Sequence, residues 1–269
     1  MTIYVADQLN NRIVKWNANA TEGEVVSDKG YDDDSNSFEI RRSNGPWDVI
    51  LDEQDDSLLI CNMETHKVIR QSLREDTTNS ETVLYNIDCS SLFLDDRGFL
   101  YVVNGKQHEV RRYKIGSTEW TVVAGGNGEG DRLDQLSLPS YIFVDRDYSV
   151  YVSDHENNRV MKWEEGAKQG IVVAGGNRLG ADLTQLHGPR GVLVDKVGTV
   201  YVVDQWNHRV MRWPKGSKRG SVIAGGNGHG DDNNQFSYPV GLAFDQQGNL
   251  YVADKDNHRV QKFSLVGTV

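Results

Sequence analysis

The sequence predicts an all-β fold: a six-bladed β-propeller of four-stranded antiparallel blades, with the first blade lacking its inner strand. Three observations lead to this prediction. One phrase recurs at a spacing of 50 residues along most of the chain. The 27 glycines stand in recurring clusters against only 5 prolines, which is typical of short strands separated by turns. Each repeat holds four strand-sized segments, and because an isolated sheet cannot bury both faces, the repeats must close into a ring.

The phrase YVSDHENNRVMKW sets the repeat. Strong copies begin at four tyrosines and weaker copies precede them, at Tyr101, Tyr151, Tyr201 and Tyr251 and at Tyr4 and Leu59. We therefore expect the second strands of the six blades to start near residues 3, 58, 100, 150, 200 and 250.

Only five segments have the pattern of a first, inner strand. They cover residues 46–52, 90–95, 139–145, 189–195 and 239–245. We expect the first blade to begin at its second strand, which leaves an open inner edge, and residues 264–269 to supply an outer strand for blade six. We interpret residues 1–269 as a single propeller domain that is a piece of a longer protein.

The phrase YVVDQWNHRVMRW and the segment PRGVLVDKVG that precedes it resemble the NHL repeat, and so do the other copies of this phrase in the chain. The resemblance covers essentially the whole chain and is sharp in blades one, four, five and six. Blade three departs from it at Glu109, and blade two departs at Asn62, Thr65 and Lys67. The resemblance implies a propeller that serves as a recognition platform for proteins or RNA. A minority of similar propellers are enzymes, among them amidating lyases and calcium-dependent lactonases.

Three polar residue types recur once per blade, which favours a structural role over chemistry. The aspartates end a strand before a five-residue loop, where a carboxylate can accept backbone N–H groups and hold the turn. The asparagines suit a loop position with positive φ, and the arginines can bridge to carbonyls or carboxylates of an adjacent blade. The predicted turn residues are Asp7, Asp154, Asp204 and Asp254, with Asn10, Asn157, Asn207 and Asn257.

The charge balance bears on the choice of partner. There are 29 Lys and Arg residues against 39 Asp and Glu residues, a net charge of −10. This balance disfavours a phosphate-neutralising surface, so we do not expect nucleic acid, RNA included, as the partner. No apolar run reaches the roughly 20 residues that cross a bilayer, so we expect no membrane partner either.

The sequence offers no anchor for a catalytic or cofactor site. The glycine-rich loops at 125–130 and 225–230 lead into another strand rather than a helix, so we expect no dinucleotide or other cofactor. Histidines recur at one loop position, at His66, His108, His208 and His258. A ring of blades spreads them too far apart to converge at about 2 Å from one zinc ion. We expect no metal and no catalytic residue.

The two cysteines lie at neighbouring blades. Cys61 stands near the end of the second strand of blade two, and Cys89 just before the first strand of blade three. These positions share a face of the propeller, so a disulfide is one interpretation and two buried thiols the other. With the glycosylation sequon at Asn19, they favour an extracellular location.

The loops between and within blades lie on one face, where the copies differ although the frame does not. Trp206 is an aromatic at a loop tip, and Trp and Arg are enriched in binding hot spots. We predict that this loop face binds a partner through Trp206, Trp47, Arg190, Tyr141, His229, Glu156 and Asp256.

We therefore expect a non-enzymatic, monomeric interaction propeller whose partner is a protein or peptide. One alternative is a metal-dependent lyase or a lactonase-like hydrolase at the mouth of the channel. Another is an extracellular module that binds carbohydrate through its loop aromatics. The enzyme must hold a stoichiometric divalent ion, whereas the interaction platform need not.

Overall fold

A computed structural model describes residues 1–27, 45–74 and 80–265. Among these residues no helix is long and apolar enough to span a membrane. The regular structure they form is β-strand, apart from short 3-10 helices at Gln8–Asn10, Gly105–Gln107, Gln205–Asn207 and Lys255–Asn257.

The strands form six antiparallel sheets, which are the blades of a six-bladed β-propeller. Blades one to three contain β1 (Thr2–Asp7), β2 (Arg12–Asn17), β3 (Glu24–Ser27), β4 (Asp48–Asp52), β5 (Ser57–Asn62), β6 (Lys67–Ser72), β7 (Ser80–Tyr85), β8 (Cys89–Leu94), β9 (Phe99–Asn104), β10 (Glu109–Lys114) and β11 (Trp120–Gly125). Blades four to six contain β12 (Pro139–Val144), β13 (Val150–Asp154), β14 (Arg159–Trp163), β15 (Ile171–Gly175), β16 (Pro189–Val194), β17 (Val200–Asp204), β18 (Arg209–Trp213), β19 (Ser221–Gly225), β20 (Pro239–Phe244), β21 (Asn249–Asp254) and β22 (Arg259–Ser264).

The strand count confirms the predicted fold class. Blade one is the three-stranded sheet β1-β2-β3, and β1 carries the second-strand phrase of the repeat. Blades two to five have four strands each. Blade six is the three-stranded sheet β20-β21-β22, and its β22 ends at Ser264. The outer strand predicted for residues 264–269 falls mostly outside the described residues, which end at 265.

The chain divides into two compact parts, Met1–Val122 and Val123–Val269. In the first part, side chains of blades one and two share an apolar cluster that includes Ile13 and Ile60. A second cluster lies between blades two and three. It contains Cys61 and Cys89, whose Cα atoms are 5.6 Å apart and whose sulfur atoms form a disulfide. The separation lies inside the limit of about 7 Å that a disulfide tolerates.

In the second part, the apolar core lies between the faces of neighbouring blades. Every residue of β13 and of β17 is buried, since these second strands are covered on both faces. One cluster joins blades four and five, and another joins blades five and six around Phe236. Six positions in this core are taken by large side chains, at Trp163, Trp213, Tyr201, Phe236, Leu186 and Met161.

Each well-matched blade of the second part closes through one hydrogen-bonded network. In blade five, Asp204 Oδ2 accepts from Arg209 Nε at 2.7 Å and from Asn207 Nδ2 at 2.9 Å. Its Oδ1 accepts from the backbone N–H of His187 at 2.7 Å. The guanidinium of Arg209 also donates to the carbonyls of Ala181, Asp182 and Gln185. Blades four and six repeat the network around Asp154 and Asp254.

This network differs in two details from the prediction. The carboxylate holds the incoming loop between blades, because the N–H it accepts belongs to a residue 17 positions earlier. The positive-φ residue is not the predicted asparagine but the next residue, Asn158 (φ 52°) or His208 (φ 50°). The asparagine side chain instead bridges the carboxylate and a loop carbonyl, as Asn207 does with Gly180 at 2.9 Å. The amide is therefore needed for its hydrogen bonds and not for its backbone freedom.

Candidate functional site

The loops of blades five and six bring together a cluster of aromatic side chains, here named the aromatic platform. Its members are Trp206, His187, Tyr238, His208 and His229. Trp206 is the middle residue of the 3-10 helix Gln205–Asn207, and its backbone N–H donates to the carbonyl of His187 at 3.2 Å. The platform therefore rests on the loop that the Asp204 carboxylate holds.

The rings of the platform contact one another continuously. Trp206 stacks on His187 with 5.6 Å between ring centroids and an angle of 22° between planes. Tyr238 meets Trp206 edge to face at 5.1 Å and His208 at 4.9 Å. His229 completes the row at 5.0 Å from His208. Edge-to-face and offset-stacked geometries are the favourable ones for aromatic pairs.

A glycine makes room for the tryptophan. Gly188 has a φ of 59°, and a Cβ at this position would collide with Cδ1 of Trp206 and come within 2.9 Å of Cε1 of His155. Tyr238 occupies the equivalent position of blade six, also with positive φ (47°). A bulky L-residue is strained at positive φ, so Tyr238 has an unfavourable backbone conformation at the point where its ring contacts the platform. Trp206 keeps 47% of its surface exposed although its neighbours fix its orientation.

The surroundings of His208 in the platform favour its neutral form. Burial and the neighbouring His229 lower the pKa of His208. Its Nδ1 accepts the backbone N–H of Tyr238 at 3.3 Å, which requires an unprotonated nitrogen there. His229 Nε2 lies 2.8 Å from the Ser237 hydroxyl. At neutral pH His208 therefore contributes an uncharged ring to the platform.

Arg190 lies one residue after the proline that opens β16, beside the platform. Its Nε donates to Oε1 of the buried Gln205 at 3.3 Å. Burial lowers the pKa of Arg190, and the nearby Tyr141 and Glu156 raise it by less. Tyr141 stands where blades five and six have Gly191 and Gly241, and its hydroxyl lies 3.7 Å from the place of a Cβ on Gly241.

His155 links Arg190 to the platform. Its Nδ1 lies 3.2 Å from the carbonyl oxygen of Pro189, and its Nε2 lies 3.9 Å from the carboxylate of the exposed Glu156. Burial and the charge of Arg190 lower the pKa of His155, and His187 adds to this lowering. Four of the predicted residues thus lie in one region with the platform: Trp206, Arg190, Tyr141 and Glu156.

Of the other predicted residues, Asp256 and Trp47 lie in different surroundings. His229 belongs to the platform and is exposed. Asp256 is an exposed residue of the 3-10 helix of blade six, 3.9 Å from Lys255. Trp47 is half-buried and packs against the apolar cluster of blades two and three. Its indole Nε1 is buried without a hydrogen-bond partner among the described residues. A binding role for these residues stays a prediction.

Two platform residues, His187 and Tyr238, were absent from the predicted set. A signal for them exists in the repeat, because the residue before the inner-strand proline is Leu138, Gly188 or Tyr238 in successive blades. Asp48 is a third residue that the pattern did not single out. Its carboxylate accepts from Ser91 Oγ at 2.8 Å and from the Leu92 N–H at 2.9 Å, and burial raises its pKa to about 6.

The described residues contain no group of three or more His, Cys, Asp or Glu side chains that could hold a metal ion.

A family model for the NHL repeat matches residues 236–263, which cover the inner part of blade six. No curated protein matches the sequence. Among solved structures, an auxiliary nutrient binding protein from Bacteroides thetaiotaomicron is similar at a TM-score of 0.75 and 14% identity, over 98% of this chain and 66% of that one. The chain thus spans slightly less than two thirds of that protein.

Two further structures share the fold. The structure of a nidogen/laminin complex is similar at a TM-score of 0.71 and 16% identity, over 98% of this chain and 89% of that one. A catalytically inactive virginiamycin B lyase from Staphylococcus aureus with quinupristin is similar at 0.63 and 11% identity, over 99% and 82%. At these identities the likeness shows the fold alone.

The class of protein defined by these sheets is the all-β, six-bladed β-propeller. Within this fold, the segment that matches the NHL repeat, residues 236–263, is one copy of the phrase that recurs through the blades.

Proposed function

We propose that this propeller is a non-enzymatic recognition module that binds a protein or peptide through the loop face of blades four to six. The observation that carries the proposal is the aromatic platform, in which an exposed tryptophan is held in one orientation by His187 and Tyr238. Tryptophan is enriched among the residues that dominate binding energy in protein interfaces.

Preorganisation makes Trp206 effective in binding. A side chain that is already fixed loses little conformational entropy when a partner covers it, and such ordering otherwise costs about 0.5–1.5 kcal/mol per side chain. The stacking on His187, the edge of Tyr238 and the space at Gly188 all restrict the indole ring before any partner arrives. A surface tryptophan without such neighbours would lose this advantage.

The surroundings favour a polypeptide over nucleic acid. The net charge of −10 opposes a polyanionic ligand, and the lowered pKa of His208 keeps its imidazole uncharged at neutral pH. The nidogen structure, determined as a complex with laminin, offers an analogy of fold for protein recognition.

The test compares two tryptophans of matched exposure. Trp206 is 47% exposed on the platform, and Trp120 is 46% exposed on β11, where the Arg111 guanidinium lies 4.0 Å from its ring. The protein is used to isolate a partner from the source organism, and the purified partner is then titrated against Trp206→Ala and Trp120→Ala by calorimetry.

We expect Trp206→Ala to weaken binding by about 30-fold or more, as a hot-spot residue would, and Trp120→Ala to change it by less than about threefold. Equal losses in the two variants, or no loss in Trp206→Ala, would contradict the proposal.

We also propose an extracytoplasmic location. The disulfide between Cys61 and Cys89 supports it, because disulfides persist in oxidising compartments, and the exposed Asn19 lies in a glycosylation sequon. Alkylation of the protein in unbroken source cells, before and after reduction, should find both thiols blocked until reductant is added. Free thiols in the untreated protein would contradict this location.

A further inference from the structure

Arg190 is a partly buried cation that forms no ion pair with any of the described residues. Its only hydrogen bond from the guanidinium to the described residues is the one from Nε to the neutral amide of Gln205, at 3.3 Å. No carboxylate of the described residues lies within ion-pair distance of it, and its Nη1 and Nη2 groups are accessible to solvent. An arginine removed from water without a counter-ion is energetically unfavourable, so a position of this kind needs an explanation.

The repeat shows that the blade itself does not require this cation. The equivalent residue of blade four is Ser140, whose hydroxyl donates to the carbonyl of Pro189 at 3.0 Å, and that of blade six is Val240. By contrast, the arginines that serve the fold, such as Arg209, direct Nε to a buried aspartate and their Nη groups to loop carbonyls. Arg190 has the same donors, but its Nη groups form no hydrogen bond with the described residues.

The groups around Arg190 limit the charge of a ligand. Glu156 and Tyr141 are close enough to raise the pKa of Arg190 against the effect of burial. His155 is kept neutral by burial and by the charge of Arg190. One positive charge, one neutral imidazole and one nearby carboxylate suit a monoanion better than a phosphate dianion. The paired Nη groups match the two oxygens of a carboxylate.

The cation and the platform are neighbours. The place of a Cβ on Gly188 is within 2.9 Å of His155 and in contact with Trp206, and Gln205, which holds Arg190, precedes Trp206 in the sequence. A single ligand can therefore place a carboxylate on Arg190 and an apolar or aromatic group on Trp206.

We propose that Arg190 is a carboxylate-binding subsite, at which the ligand of the aromatic platform presents a carboxylate to Nη1 and Nη2. This inference rests on the proposed recognition function and specifies its partner as a peptide with a carboxylate beside an apolar residue. The carboxylate is either the α-carboxylate that ends a peptide or an Asp or Glu side chain within it.

The experiment uses small probes and does not depend on identifying the partner. N-acetylphenylalanine, N-acetylphenylalaninamide, N-acetylaspartyl-phenylalaninamide and inorganic phosphate are titrated into the isotope-labelled protein. Binding is followed by the NMR signals of the Arg190 Nε–H and the Trp206 indole N–H. We expect one of the two carboxylate probes to bind at least about tenfold more tightly than the plain amide, as a charge-assisted hydrogen-bonded pair would. Which of them binds identifies the source of the carboxylate.

Variants separate the subsite from the platform. Arg190→Gln should remove the preference for the carboxylate probe, Arg190→Lys should keep part of it, and Arg219→Gln, which changes an exposed arginine in the turn after β18, should keep all of it. Trp206→Ala should lower the affinity for the carboxylate probe and for the amide probe by the same factor. Because Arg190 forms no ion pair with the described residues, we expect Arg190→Gln to unfold at the same denaturant concentration as the unaltered protein.

Three results would overturn the inference: equal affinity for acid and amide, an unchanged preference in Arg190→Gln, or tighter binding of phosphate than of either carboxylate. A partner whose affinity depends on Trp206 but not on Arg190 would also overturn it and leave the proposed function standing. If the probes bind through Arg190 but the affinity of the partner is unchanged in Trp206→Ala, the proposed role of the aromatic platform is rejected. The carboxylate-binding subsite at Arg190 is then retained.

Discussion

At the scale of single residues, burial decides how much a repeated ion pair contributes to the stability of the folded protein. Asp7–Arg12 in blade one and Asp204–Arg209 in blade five have the same Nε–Oδ2 distance of 2.7 Å. The side chains of the first pair are 26% and 41% exposed, whereas those of the second are 0% and 7% exposed. Solvent screens the first pair, and the second has only protein groups around it.

We therefore predict that Asp204→Ala lowers the free energy of unfolding by about 3–5 kcal/mol, because it leaves Arg209 buried without its counter-ion. The matched variant Asp7→Ala should lose only about 0–1 kcal/mol. Urea unfolding of both variants, followed by tryptophan fluorescence, measures the difference. Equal losses would show that the carboxylate acts through the turn and not through the buried pair.

Asp48 gives the molecule a pH dependence of its own. Burial raises its pKa to about 6, against the lowering effect of the hydrogen bonds from Leu92, Ser91 and Val49. The ordinary value of 3.8 applies to the unfolded state. Because the folded pKa is the higher one, the folded state binds the proton more tightly. The contribution of this group to stability is complete below about pH 4 and falls as the pH rises through 6.

We predict that Asp48→Asn removes this decline, since an amide keeps the oxygen that accepts the Leu92 N–H and has no charge to bury. The difference in unfolding free energy between Asp48→Asn and the unaltered protein should shift in favour of the variant by about 2 kcal/mol between pH 4 and pH 7.5. Denaturation at four pH values in that interval measures the shift. If the difference between the two unfolding free energies did not depend on pH, the Asp48 carboxylate would be in contact with water and not buried.

At the scale of elements, the disulfide fastens the end of β5 to the start of β8 across blades two and three. It closes a separation of 28 residues, and cross-links of this kind stabilise by about 2–4 kcal/mol, mainly by restricting the unfolded state. These two blades are the ones whose phrases depart most from the repeat, at Asn62, Lys67 and Glu109.

Reduction should therefore lower the unfolding free energy by about 2–4 kcal/mol. Because the sequence has only 2 cysteines, this is the one disulfide within the chain that a reductant can break. Cys61→Ser with Cys89→Ser should reproduce the loss and abolish any further response to reductant. A double variant that is as stable as the oxidised protein would mean that packing alone holds these blades together.

The sequence could predict the elements because the fold repeats and each copy supports the others. The register of the strands follows from the phrase that begins at Tyr151 and Tyr201, and six copies specify six blades. Contacts between blades could not be predicted in the same way. The stacking of Trp206 on His187, and the surroundings of Arg190, which forms no ion pair with a described residue, depend on residues from separate loops. Even the turn asparagine was misjudged by one residue, because Asn and His both accept positive φ.

At the scale of the whole molecule, the remaining question is whether the propeller recognises or catalyses. Its net charge of −10 opposes a polyanionic substrate, and the described residues hold no cluster of three metal-binding side chains. The similarity to virginiamycin B lyase is one of fold at 11% identity and carries no activity with it. An enzyme of the metal-dependent class would need a divalent ion at a fixed stoichiometry.

We predict that the protein, purified by gel filtration in metal-free buffer, contains less than about 0.1 equivalent of Ca, Zn, Mn or Fe, the level expected of a protein without a metal site. An ion that binds the folded state at 100 times its dissociation constant would stabilise the protein by about 2.7 kcal/mol, and its removal would lower the unfolding midpoint. We expect no such ion, so a chelator should leave the midpoint unchanged. Elemental analysis and thermal unfolding with and without chelator provide the two readings. One equivalent of metal, with a lowered midpoint after chelation, would reject the non-enzymatic proposal.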